Sequence, residues 1–179
     1  YLPDVAAESG GSVTVPLNVA NVSGVLAFGV TITYDPTKLS FSSVTRGALV
    51  GQDWILVPNA TVAGEIRLGS AGILTDLSGS GPIAIIEFQV LGQPGDVATL
   101  TLSDVLLNES AITPTRTQGS VNIVQDITKP VITLLGEGQL QFEASPAGSY
   151  LDAGASCQDA IDGDLSNDIV VSGDAVDLA

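Results

Sequence analysis

One stretch near the start of the chain, residues 25–34, alternates between two kinds of side chain. Its sequence is VLAFGVTITY, and its large apolar residues share one parity: Leu26, Phe28, Val30, Ile32 and Tyr34. The other parity holds small or polar residues. Because successive side chains of a β-strand point to opposite sides, this pattern predicts a strand with one face in a core. The Asp35-Pro36 pair that follows predicts a turn.

Further candidate strands follow, separated by Gly, Pro and Asp turn signals. They cover residues 12–19, 39–45, 54–57, 65–69, 83–91, 97–102 and 120–124. Pro16 cannot donate to a hydrogen-bond ladder, so the first of these is predicted either to lie at a sheet edge or to be broken at Pro16. Residues 70–82, rich in Gly and Ser, predict a loop. About nine strands in about 125 residues are typical of a two-sheet β-sandwich, and we therefore expect an all-β fold.

A domain boundary is predicted near residues 125–130, where the sequence is QDITKP. Beyond it, strands are predicted over residues 131–135, 140–142 and 169–171, on either side of a Gly- and Asp-rich stretch. We expect two domains, residues 1–125 and residues 126–179.

The chain carries 20 acidic and 5 basic residues, a net charge of −15. Such a surface repels phosphate backbones and anionic lipids, so nucleic acid is excluded as a partner. No apolar run is long enough to cross a bilayer, so we expect no membrane insertion. The acidity suits either solubility or the attraction of a cation such as calcium. The chain begins at Tyr1, and we expect that a segment precedes it.

The side chains needed for catalysis are missing. There is no histidine and only one cysteine, so nucleophile activation by His and zinc sites built on His or clustered Cys are excluded. A carboxylate pair could hydrolyse sugars, but the acidic residues cluster in turns, where solvated structural roles are commoner. We expect no enzyme activity.

The densest acidic cluster surrounds a glycine turn, with Asp159, Asp162 and Asp164 close together and Asp152 before them. Hard cations take several oxygen ligands, and closely spaced Asp residues around a Gly turn can enclose one, so the cluster predicts a calcium site. The alternative is an Asx-turn loop, in which the carboxylates accept hydrogen bonds from local backbone N–H groups.

Asn-X-Ser/Thr sequons occur at Asn21, Asn59 and Asn108 and suggest a glycosylated exterior protein. Trp54 is the only tryptophan, and sugar-binding faces present several planar aromatics. We therefore expect Trp54 to lie in the core, with an anchor in a protein interface as the alternative.

The first 125 residues resemble a cohesin domain. The matching pieces are residues 13–19 (VTVPLNV), 21–28 (NVSGVLAF), 33–41 (TYDPTKLSF), 79–88 (GSGPIAIIEF) and 119–123 (GSVNI). This resemblance implies a jelly-roll β-sandwich without catalytic activity that binds a dockerin through side chains exposed on one face. On the outward parity of residues 25–34 and 83–91, the candidate contacts are Thr31, Thr33, Glu87 and Gln89.

The last residues resemble a bacterial Ig-like surface repeat. The matching pieces are residues 126–134 (DITKPVITL), 150–155 (YLDAGA) and 159–165 (DAIDGDL). The family resemblance adds Asp126 to the calcium ligands. That family continues for two more strands, and a sandwich without them would expose open sheet edges. Either the sequence is part of a longer chain, or another chain supplies the missing strands.

Together these observations predict a secreted or cell-surface module without catalytic activity that acts by protein–protein contact. Its partner would be a dockerin-like domain or further copies of the chain, assembled into a filament. The alternative is a carbohydrate-binding module of a polysaccharide-degrading system.

Overall fold

The alternating stretch forms a strand that is shorter than predicted. In the computed structural model, which describes residues 1–109, 111–137 and 151–173, this strand covers Ala27–Thr33. Phe28, Val30 and Ile32 are buried as the pattern predicts, but Leu26 is exposed. The preceding strand ends at Val25, because the chain crosses from one sheet to the other at Leu26.

Nine strands build the first unit of the chain, Tyr1–Asp126. They are β1 (Asp4–Glu8), β2 (Ser12–Val25), β3 (Ala27–Thr33), β4 (Leu39–Arg46), β5 (Trp54–Asn59), β6 (Glu65–Gly72), β7 (Leu77–Val90), β8 (Val97–Leu107) and β9 (Gly119–Val124). One sheet has the order β1-β9-β8-β3-β6-β5 and the other the order β2-β7-β4. β1 and β9 run parallel, and the other neighbours in these sheets are antiparallel. The predicted all-β sandwich is confirmed.

The core lies between the two sheets. Ile32 of β3, Ile86 of β7 and Leu100 of β8 have no solvent exposure and belong to one apolar cluster. Full burial of such a side chain contributes about 1.5 to 3 kcal/mol. Trp54 is 3% exposed, as predicted, and its ring stacks on Phe28 with the centroids 6.0 Å apart. Packing of side chains from both sheets therefore fixes which face of each strand points outward.

The loop predicted over residues 70–82 is mostly strand. β6 continues to Gly72, and β7 already begins at Leu77. The first part of β7 pairs with the end of β2, with Val22 opposite Gly79 and Val25 opposite Leu77. Local Gly and Ser content favours a loop, but pairing with a long neighbouring strand outweighs it. β1 was also absent from the prediction.

The predicted edge position of Pro16 is confirmed. β2 lies at the end of its sheet and pairs only with β7 among the described strands. Pro16 is opposite Ile85 in this ladder.

The second unit, Ile127–Ala179, contains β10 (Val131–Leu134), β11 (Ala155–Asp159), β12 (Gly163–Asp164) and a short 3₁₀ helix, Ser166–Asp168. The strands form an antiparallel sheet in the order β10-β11-β12. The strand predicted over residues 140–142 lies outside the described residues. The strand predicted over residues 169–171 is wrong: this β-branched run is not in a strand, since no described strand pairs with it.

The division between the units falls within the stretch in which a boundary was predicted. The Ig-like assignment of the second unit stays a prediction. Where the chain is described, it contains no helix with the length and apolar character of a membrane span.

Candidate partner-binding face

The four side chains predicted to contact a partner lie on two different faces of the sandwich. Thr31 and Thr33 belong to β3, whereas Glu87 and Gln89 belong to β7. The two strands lie in different sheets, and each side chain has the parity that points away from the core. The expectation of one shared contact surface is therefore wrong, because parity identifies the outward side of a strand but not the sheet to which the strand belongs.

On the β2-β7-β4 sheet, the predicted contact residues bind other parts of the chain. Ser43 Oγ of β4 donates to Glu87 Oε2 at 2.7 Å. Gln89 Nε2 donates to the Gly10 carbonyl oxygen. These hydrogen bonds use the polar groups of the two side chains within the fold.

The outward side of β8, β3, β6 and β5 carries apolar and small side chains in rows across the strands. One row is Leu106, Gly29, Gly69 and Val57, as the pairing register shows. The next row is Ala27, Ala71 and Ile55. Directly opposite residues of neighbouring strands point to the same side, so these seven residues form one surface, which we call the apolar face. Its three large side chains are 43% to 58% exposed.

Packing within the chain does not require glycine at the two central positions of the apolar face. Gly29 and Gly69 lie opposite each other in neighbouring strands. A Cβ at Gly69 would meet nothing within 4 Å, and one at Gly29 would make only ordinary contacts with Leu106, 3.8 and 3.9 Å away. Glycine in the interior of a strand weakens it and often marks a close approach of another backbone.

A polar row borders the apolar face. It contains Asp104, Thr31, Arg67 and Asn59 on the four strands. Arg67 Nε lies 2.7 Å from Glu65 Oε1, so this ion pair is local to β6. Thr33 follows in the next row and lies between Thr101 and Glu65. The predicted contact residues of β3 therefore lie beside the apolar face, in a polar border.

A carboxylate holds the connection between β6 and β7 at one end of the apolar face. Asp53 Oδ2 accepts hydrogen bonds from the N–H groups of Leu74 and Thr75 at 3.0 and 2.9 Å. Thr75 Oγ1 donates to Asp53 Oδ1 at 2.8 Å, and Trp54 Nε1 donates to the Thr75 carbonyl oxygen at 3.1 Å. The hydrogen bond from the Leu74 backbone, followed by that from the Thr75 hydroxyl, lowers the pKa of Asp53 to about 2.

Three acidic residues of the second unit form Asx turns. Asp159 Oδ1 accepts hydrogen bonds from the N–H groups of residues 161 and 162 at 2.8 and 3.1 Å. Asp152 and Asp164 each accept one from the residue two positions later. The hydrogen bonds from Ser166, its side chain first, lower the pKa of Asp164. These turns are the alternative that the sequence left open, while calcium binding by Asp152, Asp159, Asp162 and Asp164, with Asp126 of the first unit, stays a prediction.

The three sequons differ in how their side chains are bound. Asn108 Oδ1 accepts from Leu26 N at 2.7 Å, and its Nδ2 donates to the Gly24 carbonyl oxygen at 2.8 Å. Asn59 and Asn21 are exposed, and the Oδ1 of Asn59 accepts from Thr61 N at 3.2 Å. Asn108 thus supports the crossing between β2 and β3, and glycosylation at each of the three stays a prediction.

The burial of Trp54 bears on the carbohydrate-binding alternative. Its ring lies in the core, so the only tryptophan of the chain offers no face for stacking on a sugar. Exposed apolar side chains on a sheet instead suit contact with another protein.

A protein-family model, described as the cohesin domain, matches residues 1–123. The chain belongs to the cohesin family. Among solved structures, it resembles a non-cellulosomal cohesin from Archaeoglobus fulgidus with a TM-score of 0.61 and 20% identity, over 69% of this chain and 88% of that one. It also resembles the sixth cohesin of scaffoldin B from Acetivibrio cellulolyticus, solved with the Cel5 dockerin, with a TM-score of 0.59 and 26% identity, over 68% and 95%.

A third similar structure is the OlpA cohesin of Clostridium thermocellum in complex with Doc918, at a TM-score of 0.61 and 17% identity over 69% of this chain and 96% of that one. No curated protein matches the sequence. Cohesins are docking modules without catalytic activity that bind dockerins. The predicted function as a protein–protein interaction module is confirmed, and carbohydrate binding is not supported.

Sequence reasoning missed most of the cohesin surface described above. Gly29, Gly69, Ile55, Val57 and Leu106 were not predicted as contacts. The sequence contained two signals of this face. The first is that β5 has apolar side chains on both sides, whereas a strand with one side in water needs them on one side only. The second signal is a glycine at an outward position of two strands, but only the pairing shows that the two glycines meet.

Proposed function

We propose that this cohesin captures a dockerin-type protein domain on the apolar face. The observation that carries this proposal is the Gly29–Gly69 pair between the exposed side chains of Leu106 and Val57. This arrangement makes a shallow apolar depression at the centre of a sheet, where a partner can approach the backbone closely. Apolar contact at the centre with polar residues around it is the usual anatomy of a protein interface.

The opposite sheet supports this choice of face by contrast. The outward polar groups of Glu87 and Gln89 are hydrogen-bonded within the chain, so a partner there would compete with existing contacts. Thr31 and Thr33 lie at the polar border of the apolar face and would contribute hydrogen bonds to the same partner.

A test measures binding of calcium-loaded dockerin domains by calorimetry. The panel contains every dockerin encoded in the genome that encodes this chain, together with the Cel5 dockerin and Doc918. Gly69→Val adds a branched side chain where the fold has room for it, so the chain should remain folded while binding falls at least about 100-fold. The matched control is Ser40→Val on β4, which adds a similar side chain to the other sheet and should leave affinity unchanged.

Two results would contradict the proposal. One is that wild type binds no dockerin of the panel. The other is that Gly69→Val and Ser40→Val bind equally well. Circular dichroism and thermal melting of both variants show that any loss of binding is not a loss of fold.

The remaining finer predictions concern place and assembly. Cohesins are typically extracellular or cell-surface components, which supports the prediction of an exterior location. Assembly of copies into a filament is the second version of the partner prediction. Size-exclusion chromatography with and without calcium tests it, and a monomer in both conditions would contradict it.

A further inference from the structure

The most exposed large apolar side chains described in the first unit lie on a connection between two strands. Hydrogen bonds hold this connection in place. Leu74 is 86% exposed and Ile73 is 68% exposed. Both belong to the connection between β6 and β7, which we call the apolar tip. Ile73 follows Ala71 of the apolar face by two residues, so the apolar tip adjoins the apolar face at the end of β6.

The side chain of Asp53 and the indole of Trp54 fix the backbone of this tip. As described above, Asp53 accepts from the N–H groups of both Leu74 and Thr75, and the buried indole N–H binds the Thr75 carbonyl oxygen. At the far end, Asp76 Oδ2 accepts from Ser78 Oγ at 2.9 Å and from Gly24 N at 3.1 Å. A short connection with such anchors loses little conformational entropy when a partner covers it.

We propose that Ile73 and Leu74 form a second anchor for the same partner, and that Asp53 is the positioning residue that holds this anchor in its binding conformation. This inference rests on the proposed function. The occupant is the dockerin-type domain rather than another protein, because the tip adjoins the apolar face, on which that domain is proposed to bind, at the end of β6. A partner seated on Gly29 and Gly69 would extend over Ala71 to the tip.

The first experiment measures the affinity of Leu74→Ser for the dockerin that wild type binds. Removal of a large apolar anchor from an interface is expected to lower the affinity about 30-fold. The matched control is Leu91→Ser, a change of the same size at an exposed leucine that directly follows β7 in the other sheet, which should bind like wild type. Equal affinity of Leu74→Ser and wild type would overturn the inference and leave the proposed function standing.

The second experiment separates positioning from general stability. Asp53→Ala should weaken binding about 10-fold, because the released tip must be ordered again on binding. If Asp53 acts through the two anchor residues, the same substitution made in a background with both Ile73→Ser and Leu74→Ser should cost nothing further. An equal loss in both backgrounds would show that Asp53 acts only on the fold, and would overturn its role as a positioning residue.

The third measurement distinguishes the occupants. Sedimentation of wild type and Leu74→Ser without dockerin should show monomers in both. A wild-type dimer that Leu74→Ser dissociates would assign the tip to a second copy of the chain and overturn the inference. If wild type binds no dockerin at all, the proposed function fails together with this inference.

Discussion

The two outer faces of the cohesin sandwich use their side chains in different ways. On β2, β7 and β4, polar groups such as Glu87 and Gln89 are bound to Ser43 and Gly10 of the same chain. On β8, β3, β6 and β5, the centre is apolar, with a glycine pair that makes no contribution to internal packing. The fold gains stability from the first face and loses some on the second.

This difference shows how function can be located without a catalytic group. Glycine inside a strand costs stability of about 0.5 to 1 kcal/mol relative to alanine. At Gly69 no neighbouring atom requires that cost, and close approach of the proposed partner would explain it.

The largest expected effect comes from placing a charge on the apolar face. Val57→Asp would bury an unpaired carboxylate under the partner, which costs about 2 to 3 kcal/mol, or about 100-fold in affinity. Ser40→Asp places the same group on the opposite face and should change affinity less than about twofold. Titration calorimetry with the bound dockerin checks both. Equal losses would show that the two faces do not differ in binding.

The second prediction concerns the outward side of the β2-β7-β4 sheet, where a hydrogen bond within the chain is removed. Glu87→Ala breaks the half-buried bond from Ser43, so the free energy of unfolding should fall by about 1 kcal/mol while affinity is retained. Thr31→Ala should do the opposite, weakening binding a few-fold with stability changed by less than about 0.5 kcal/mol. Urea denaturation and calorimetry on both variants give the two quantities. Weaker binding by Glu87→Ala would contradict the assignment of faces.

Gly69→Ala tests whether the glycine weakens the fold. Because its backbone is extended and space is open around it, alanine should raise the free energy of unfolding by about 0.5 kcal/mol. Gly95, with φ of 94°, is the contrasting control, since alanine there is strained and should lower stability. Chemical denaturation measures both changes. A destabilised Gly69→Ala would show that the glycine serves the fold after all.

The smallest effect concerns the pH dependence of the apolar tip. The pKa of Asp53 is lowered from its ordinary 3.8 to about 2. Its stabilising effect is therefore fully present above about pH 4 and is lost as the pH falls through about 2. The difference in melting temperature between wild type and Asp53→Asn should be constant above pH 4 and shrink towards pH 2. A difference that stays constant down to pH 2 would contradict the lowered pKa.

Local sequence patterns predicted most strands of the first unit and their buried sides, but not the sheet to which each strand belongs. The alternation of Phe28, Val30 and Ile32 predicts a strand and its buried side, because both depend only on neighbours in sequence. That β3 and β7 lie in different sheets depends on long-range pairing, so Thr31 and Glu87 could not be separated. The glycine-rich start of β7 was predicted as a loop for the same reason.

The candidate site is built from contacts between residues that are far apart in the sequence, so it was even harder to predict. Asp53 and Leu74 are bound to each other across two strands, and no spacing rule connects them. Asp152, Asp159 and Asp164 of the second unit are the opposite case, since these hydrogen bonds reach only two or three positions along the chain. Asx turns could therefore be predicted there from the sequence.

The edge position of Pro16 has a consequence for how these modules coexist at high local concentration. Proline has no N–H, so the open side of β2 lacks a donor at Pro16, in the first half of the strand. A strand from a neighbouring molecule cannot add there as a continuous ladder, and edge-to-edge aggregation is hindered. Non-specific backbone pairing between crowded copies is thus hindered at this edge. Specific contacts with other molecules are then made by side chains.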